Sequence, residues 1–223
     1  MLANQVAVIT GANQGIGKAI AVAFAAEGAS LALCARNGEK LSRVADELRA
    51  TGVEVFAQVC DVSLEQDVEQ LFTAVLEDAY LGIRSAEQTL HLDELPPDEA
   101  IAKLVRSTWN YYLAHPEFLT LVNSENLHRA KHLKTSEAIR QTSGRLVAMV
   151  RNILDRGVAA GIFREGIDPV QLNITIAAIG YYYLTNRFTG SIVYERDLMT
   201  KENLEARLAF NLDTILRLLK KDR

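Results

Sequence analysis

The stretch "TGANQGIG" (residues 10–17) lies between an apolar run, "VAVI" (6–9), and "KAIAVAFAAEG" (18–28). Read outward from the glycines, this is strand, tight turn, helix. Small residues at such a junction let the backbone approach a phosphate closely. The helix start then supplies free N–H groups and the positive end of its dipole. The same grammar continues downstream. "SLALCA" (30–35) reads as a second strand, and 38–51 as a helix with Leu41, Val44, Ala45 and Leu48 on one face. "VEVFAQV" (53–59) reads as a third strand. In the first helix, Ile16, Ile20 and Phe24 recur at helical spacing. Short apolar strands alternating with amphipathic helices predict a parallel sheet with right-handed crossovers.

After Asp61 the pattern changes. No buried strand is expected from Ser63 onward. Helices are predicted at about 64–90, 98–113, 117–129, 133–160, 168–188 and 200–220. Ser63 is the expected cap of the first, with Gln66 at the capping-box position; Asp168 with Pro169 opens the fifth, and Thr200 the sixth. "LPPDE", "AHPEF" and the pair Gly161 and Gly166 mark breaks. Two modules of different kinds follow, with boundaries at 1–70 and 71–223.

Composition narrows the function classes. The 223 residues are 49% hydrophobic and 23% charged, with net charge −4. Residues 1–72 hold 5 Lys+Arg against 9 Asp+Glu, and the remainder holds 19 of each. Neither part has the basic surplus of a dedicated nucleic-acid binder. No run approaches membrane-span length, and the expected compartment is the cytoplasm. Cys34 and Cys60, the only cysteines, read as buried small hydrophobes; a disulfide is the alternative if their strands pair. His128 and His132 share a helix face, but no acid at suitable spacing supports a metal site, so no metal is expected.

The glycines at 11, 15 and 17 are spaced G-x-x-x-G-x-G. With the strand before them and the helix after, they resemble the nucleotide-binding motif of the short-chain dehydrogenase/reductase family. The resemblance covers about residues 5–70. It implies a cofactor site formed by Thr10, Gly11, Asn13, Gly15, Ile16, Gly17, Arg36, Asp61 and Val62. Arg36, closing the second strand, then favours the 2′-phosphate of NADP(H) by charge-assisted hydrogen bonding. Asp61 and Val62 match the pair beside the adenine. The family pattern stops there. The fourth strand and its Asn-Asn-Ala-Gly segment are missing, and none of the seven tyrosines has Lys four residues on. No catalytic residue is assigned, and any NADP(H) affinity is expected to be weak. The first strand should also have an open edge, which a second copy or a helix of the other module is expected to cover.

The segments "LFTAVLEDAYLGIRSAEQTL" (71–90), "HPEFLTLVNSENLHRAKHL" (115–133), "VRNILDRGVAAGIFREGIDPVQLNITIAAIGYYYLTNRFTG" (150–190) and "RDLMTKENLEARLAFNLDTILRLL" (196–219) resemble the ligand-binding and dimerisation domain of TetR-type transcriptional regulators. This resemblance implies an internal pocket for a small apolar or amphipathic effector, with Trp109, Tyr112, Phe118, Leu121, Met149, Ile153 and Tyr182 as candidate walls. It implies a homodimer through helices about 168–188 and 200–220. Leu204, Leu208, Leu212, Ile215 and Leu219 form the stripe suited to that interface or to intrachain core. Where such regulators carry a helix-turn-helix, this sequence has the strand–helix module, so DNA binding is not expected. The fold expected is α/β plus all-α: a three-stranded parallel half-Rossmann unit of order 3-2-1, then a TetR-like helical bundle. Three functions are compatible with it: a non-catalytic protein binding effector and NADP(H), an NADP-dependent oxidoreductase, or a fusion without joint function.

Overall fold

The computed structural model describes Leu2 and residues 5–221. Its two compact units, Met1–Val75 and Leu76–Arg223, divide inside one long helix.

The first unit contains β1 (Val6–Thr10), α1 (Gly15–Ala26), β2 (Ser30–Ala35), α2 (Gly38–Arg49) and β3 (Val55–Val59). The strands are parallel and ordered β1-β2-β3. Val6 to Thr10 sit opposite Ser30 to Cys34, and Leu31 to Ala35 opposite Val55 to Val59. Ile9, Leu31 and Leu33 pack with Leu41, Val44 and Leu48 of α2 and Ala21 and Ala25 of α1. The expected core face of α1 is therefore corrected. Ala21 and Ala25 are buried, whereas Ile16 is 81% exposed and Ile20 and Phe24 are also exposed. Alanines let the helix lie close to the sheet, which rotates the larger side chains outward. Strand alternation sends Val6 and Val8 to the opposite face, where they are 59% and 68% exposed. Among the described residues of this unit only β2 pairs with β1, so its other edge has no strand partner.

The helix α3 (Glu65–Gln88) carries the chain across the boundary. Then follow α4 (Pro97–Ala114), α5 (Pro116–Leu127), α6 (Glu137–Ala159), α7 (Pro169–Thr185), α8 (Arg187–Val193) and α9 (Lys201–Leu219), with 3-10 turns at Leu92–Glu94 and Leu133–Thr135. Proline occupies the first position of α4, α5 and α7, where its missing N–H costs nothing. Ser136, Asp168 and Thr200 cap α6, α7 and α9 through their side-chain oxygens. Ser63 does not cap α3 as expected: its N–H and hydroxyl both donate to Asp61 Oδ1. The helix predicted over 168–188 ends at Thr185, and Arg187 starts a separate short helix.

The bundle core joins α4, α6, α7 and α9 through Ile101, Leu104, Val150, Ile153, Leu172 and Ile215. The α9 stripe belongs largely to it. Leu212, Ile215 and Leu219 are buried there, and Leu204 and Leu208 pack half-buried beside the cores. These leucines are intrachain core rather than interface. The exposed apolar positions of α9 are Ala206, Ala209, Phe210 and Leu218, and those of α7 are Val170, Ile174, Ala178 and Tyr182. No helix among the described residues is long and apolar enough to cross a membrane.

Candidate functional site

Parallel pairing in register brings the C-terminal ends of the three strands side by side. The turn after β1, Arg36 after β2 and Asp61 after β3 therefore meet at one end of the sheet. Thr10, Gly11, Asn13, Gly15, Ile16, Gly17, Arg36, Asp61 and Val62 all line one cavity of about 840 Å³. Every cofactor residue expected from the sequence is thus brought together.

The turn's geometry depends on glycine at two kinds of position. Gly11 and Gly15 hold φ of +66° and +56°, the left-handed region that side chains disfavour. Gly17 is needed for closeness: a Cβ there would lie 2.7 Å from the carbonyl carbon of Gly11 and 3.1 Å from Ala12 Cα. The N-terminus of α1 has no side-chain cap and no acidic residue in its first turn. Its N–H groups face an open cavity, as an anion site requires.

Two cations line this cavity. Arg36 lies 3.9 Å from Asp61 Oδ2. Lys40, not anticipated from the sequence, donates from Nζ to Gln14 Oε1 at 3.0 Å. Its signal was the Asn37 cap, whose side chain accepts from Lys40 N and fixes the first turn of α2. Asp61, expected beside the adenine, also holds the turn to Ser63 and faces Arg36. Hydrogen bonds from the Ser63 hydroxyl and N–H hold its carboxyl below the usual value against an opposing effect of burial, with a lesser contribution from the Arg36 charge. The residues fit the adenosine, ribose and phosphate part of a dinucleotide. Among the described residues no strand follows β3, so no second half-sheet frames a nicotinamide.

Cys34 and Cys60 also line the cavity, buried and free. The strands β2 and β3 do pair, with Cys60 directly after β3; burial first, then the neighbouring Cys60, pushes the Cys34 thiol up.

In the helical unit the candidate pocket residues separate. Trp109, Tyr112 and Phe118 gather with Ile83, Leu119 and Leu184 in an aromatic cluster. Tyr112 stacks on Phe118 with ring centroids 6.0 Å apart, and burial pushes its hydroxyl up to about 12. Met149 and Ile153 belong instead to the aliphatic bundle core. Leu121 is half-buried and in neither group. Tyr182 is exposed and lines a separate cavity of about 510 Å³.

The aromatic region holds polar groups that sequence reading missed. Arg84 Nη1 donates to both carboxylate oxygens of Glu87, at 2.7 and 2.6 Å, and both side chains are largely buried. Burial raises the Glu87 carboxyl above its ordinary value, with Arg84 opposing. Buried Glu125 accepts from His132 Nδ1 at 2.7 Å and from the backbone N–H groups of His132 and Leu133. His132 is thus engaged with Glu125, and His128 Nδ1 contacts Ser124 O. Among the described residues no group of three or more His, Cys, Asp and Glu is placed to hold a metal.

A phosphate cradle on a parallel sheet, followed by an all-helical bundle with an aromatic interior, defines a two-part chain of oxidoreductase-like and regulator-like segments. Residues 97–215 match the family described as tetracyclin repressor-like, C-terminal domain, and residues 5–82 match the short chain dehydrogenase family. The chain belongs to the TetR-type regulators through that C-terminal domain. It is 39% identical over 153 residues to the HTH-type transcriptional repressor NicS of Pseudomonas putida, covering 69% of this chain and 72% of the repressor. It is 43% identical over 65 residues to the 7alpha-hydroxysteroid dehydrogenase of Escherichia coli, 29% of this chain and 26% of the enzyme. Among solved structures, an alcohol dehydrogenase from the archaeon Thermococcus sibiricus complexed with 5-hydroxy-NADP is 51% identical over 33% of this chain and 32% of its own, with a TM-score of 0.32. The chain thus spans only about a quarter to a third of these two dehydrogenases.

Proposed function

We propose that the chain is a non-catalytic, regulator-like binding protein. Its helical unit takes a small organic effector and pairs with a second copy. Its strand–helix unit holds the adenosine-phosphate half of NADP(H) weakly. The observation that carries the cofactor part is the single cavity joining the uncapped start of α1 to Arg36 and Lys40. A ribose 2′-phosphate placed there meets two cations, whereas the ribose hydroxyls of NAD(H) gain nothing from them. The proposed pairing is supported by exposed apolar residues on α7, at i, i+4 spacing, and on α9: Val170, Ile174 and Ala178, and Ala206, Ala209, Phe210 and Leu218. The missing Tyr-x-x-x-Lys favours the non-catalytic reading, because no assigned group supplies the proton that carbonyl reduction needs.

Isothermal titration of the full chain with NADPH, 2′,5′-ADP and NADH tests this. Saturable binding of the first two, a weaker response to NADH, and loss of that preference in Arg36→Ala are expected. No saturation with either 2′-phosphate ligand would remove the cofactor part. Steady NADPH oxidation with a carbonyl substrate would overturn the non-catalytic part.

A further inference from the structure

The cavity lined by Tyr182 lies apart from the aromatic cluster and has its own chemistry. It is framed by α7, α8, the turn after α8 and α9, and its volume of about 510 Å³ falls in the range of small-molecule sites. Tyr182, Tyr183 and Tyr194 supply flat walls, and Arg196 and Arg207 supply two positive charges; no carboxylate lines it. Neither arginine has an ion-pair partner among the described residues. Asp197, beside Arg196 in sequence, accepts instead from Met199 N at 2.9 Å.

Arg207 is the informative residue. Its Nη2 donates to Ile179 O at 3.0 Å, and its guanidinium lies 5.3 Å from the Tyr183 ring centroid and 5.5 Å from that of Phe210. The Tyr183 hydroxyl donates to Leu198 O at 2.9 Å, which fixes that ring. Arg207 Nε, by contrast, is buried with no hydrogen-bond partner. An orphaned donor on a cation is costly. Burial also disfavours the Arg207 charge; with Arg196 and Arg207 in the lining and no carboxylate there, the site gains from an anion. The planar guanidinium of Arg207, which lines the cavity with Arg196, suits a planar anionic group.

We infer that this cavity binds a small organic anion carried on a flat ring, with Arg207 and Arg196 receiving the anionic group and the tyrosines flanking the ring. A neutral ring leaves the two cations unmatched. An inorganic anion leaves the tyrosine walls unused.

The probe is benzoate, titrated into the full chain with 2′,5′-ADP present so that the cradle cannot contribute. Benzamide supplies the ring without charge and inorganic phosphate the charge without a ring. Saturable benzoate binding is expected, with both comparators at least about tenfold weaker. Arg207→Gln and Arg196→Gln should each weaken benzoate by about tenfold. Arg196 is exposed, so the second variant tests the site even if the first fails to fold. Equal binding of benzamide or of phosphate overturns the inference. So does benzoate binding unchanged in both arginine variants, or no saturation with benzoate at all, as when a second copy fills the cavity.

Discussion

Replacing Gly17 by alanine should damage the cradle more than any other single methyl group in it. The added Cβ would lie 2.7 Å from Gly11 C and 3.1 Å from Ala12 Cα, against an ordinary contact of at least 3.4 Å. Both neighbours are backbone, so no rotamer change relieves the overlap. The carbonyl oxygen of Gly11 lies closer still, so the first turn of α1 must move away by more than about 0.7 Å, the difference between the ordinary contact and 2.7 Å. Overpacking of this kind costs about 1–3 kcal/mol. The same displacement takes the N–H groups at the start of α1 out of reach of a phosphate, and NADPH affinity should fall at least about tenfold, or ~1.4 kcal/mol. The control is Gly52→Ala, in the turn between α2 and β3. Gly52 has φ +89° and nothing within 4 Å of an added Cβ, so that variant carries backbone strain of about 1–2 kcal/mol without touching the cradle. Hydrogen exchange across residues 6–35 reads the stability of the unit, and calorimetric titration reads the affinity. Gly17→Ala with unchanged affinity refutes the geometric reasoning. An equal loss of affinity in Gly52→Ala also refutes it, because general loosening of the unit then explains both.

Two further predictions concern buried carboxylates of the helical unit, read through the fluorescence of Trp109, the only tryptophan, during urea unfolding. Burial alone would raise the Glu125 carboxyl, but hydrogen bonds from His132 and the backbone outweigh it and hold it below the ordinary carboxylate value. A depressed folded value means that Glu125 stabilises the unit above its unfolded value of about 4.5, and that this contribution is lost as pH falls through the lower folded value. Glu125→Gln should cost about 2–4 kcal/mol at neutral pH, with a gap from the wild type that narrows on acidification; a constant gap would contradict the assignment. Glu87→Gln leaves Arg84 buried beside a neutral partner and should cost about 3–5 kcal/mol, whereas Arg84→Met with Glu87→Leu should recover most of it; a double variant as unstable as the single one would show that the pair itself is needed.

The strand–helix unit was legible because each signal was local. Glycine spacing, the apolar strand before it and the residues closing the next two strands all fall within short windows, and parallel pairing alone converts their order into adjacency. Lys40 was not legible in that way, since its place in the cavity depends on where α2 begins. In the helical unit, periodicity identified the helices but not their facing. The stripe from Leu204 to Leu219 is apolar because four helices enclose it, while exposed Leu218 lies one residue, and exposed Phe210 two residues, from its nearest member. Likewise Ile16, Ile20 and Phe24 look like a core face until Ala21 and Ala25 take the contact with the sheet. Contacts distant in sequence, such as Glu125 with His132 across a turn containing two residues at positive φ, leave no periodic trace.

The cradle and the missing catalytic pair are consistent once the sheet is considered edge by edge. The ends of β1, β2 and β3 suffice to place the glycine turn, Arg36 and Asp61 around one cavity, so the adenosine-phosphate half of a dinucleotide has its framework. The nicotinamide half needs a further strand beside β1, at the edge that β2 does not occupy. Binding and hydride transfer are therefore separable in this topology: three strands can support the first, while the second requires chain that is replaced here by the helices of a TetR-type domain. Affinity for 2′,5′-ADP should accordingly approach that for NADPH, because the atoms distinguishing them fall where the described residues provide no floor.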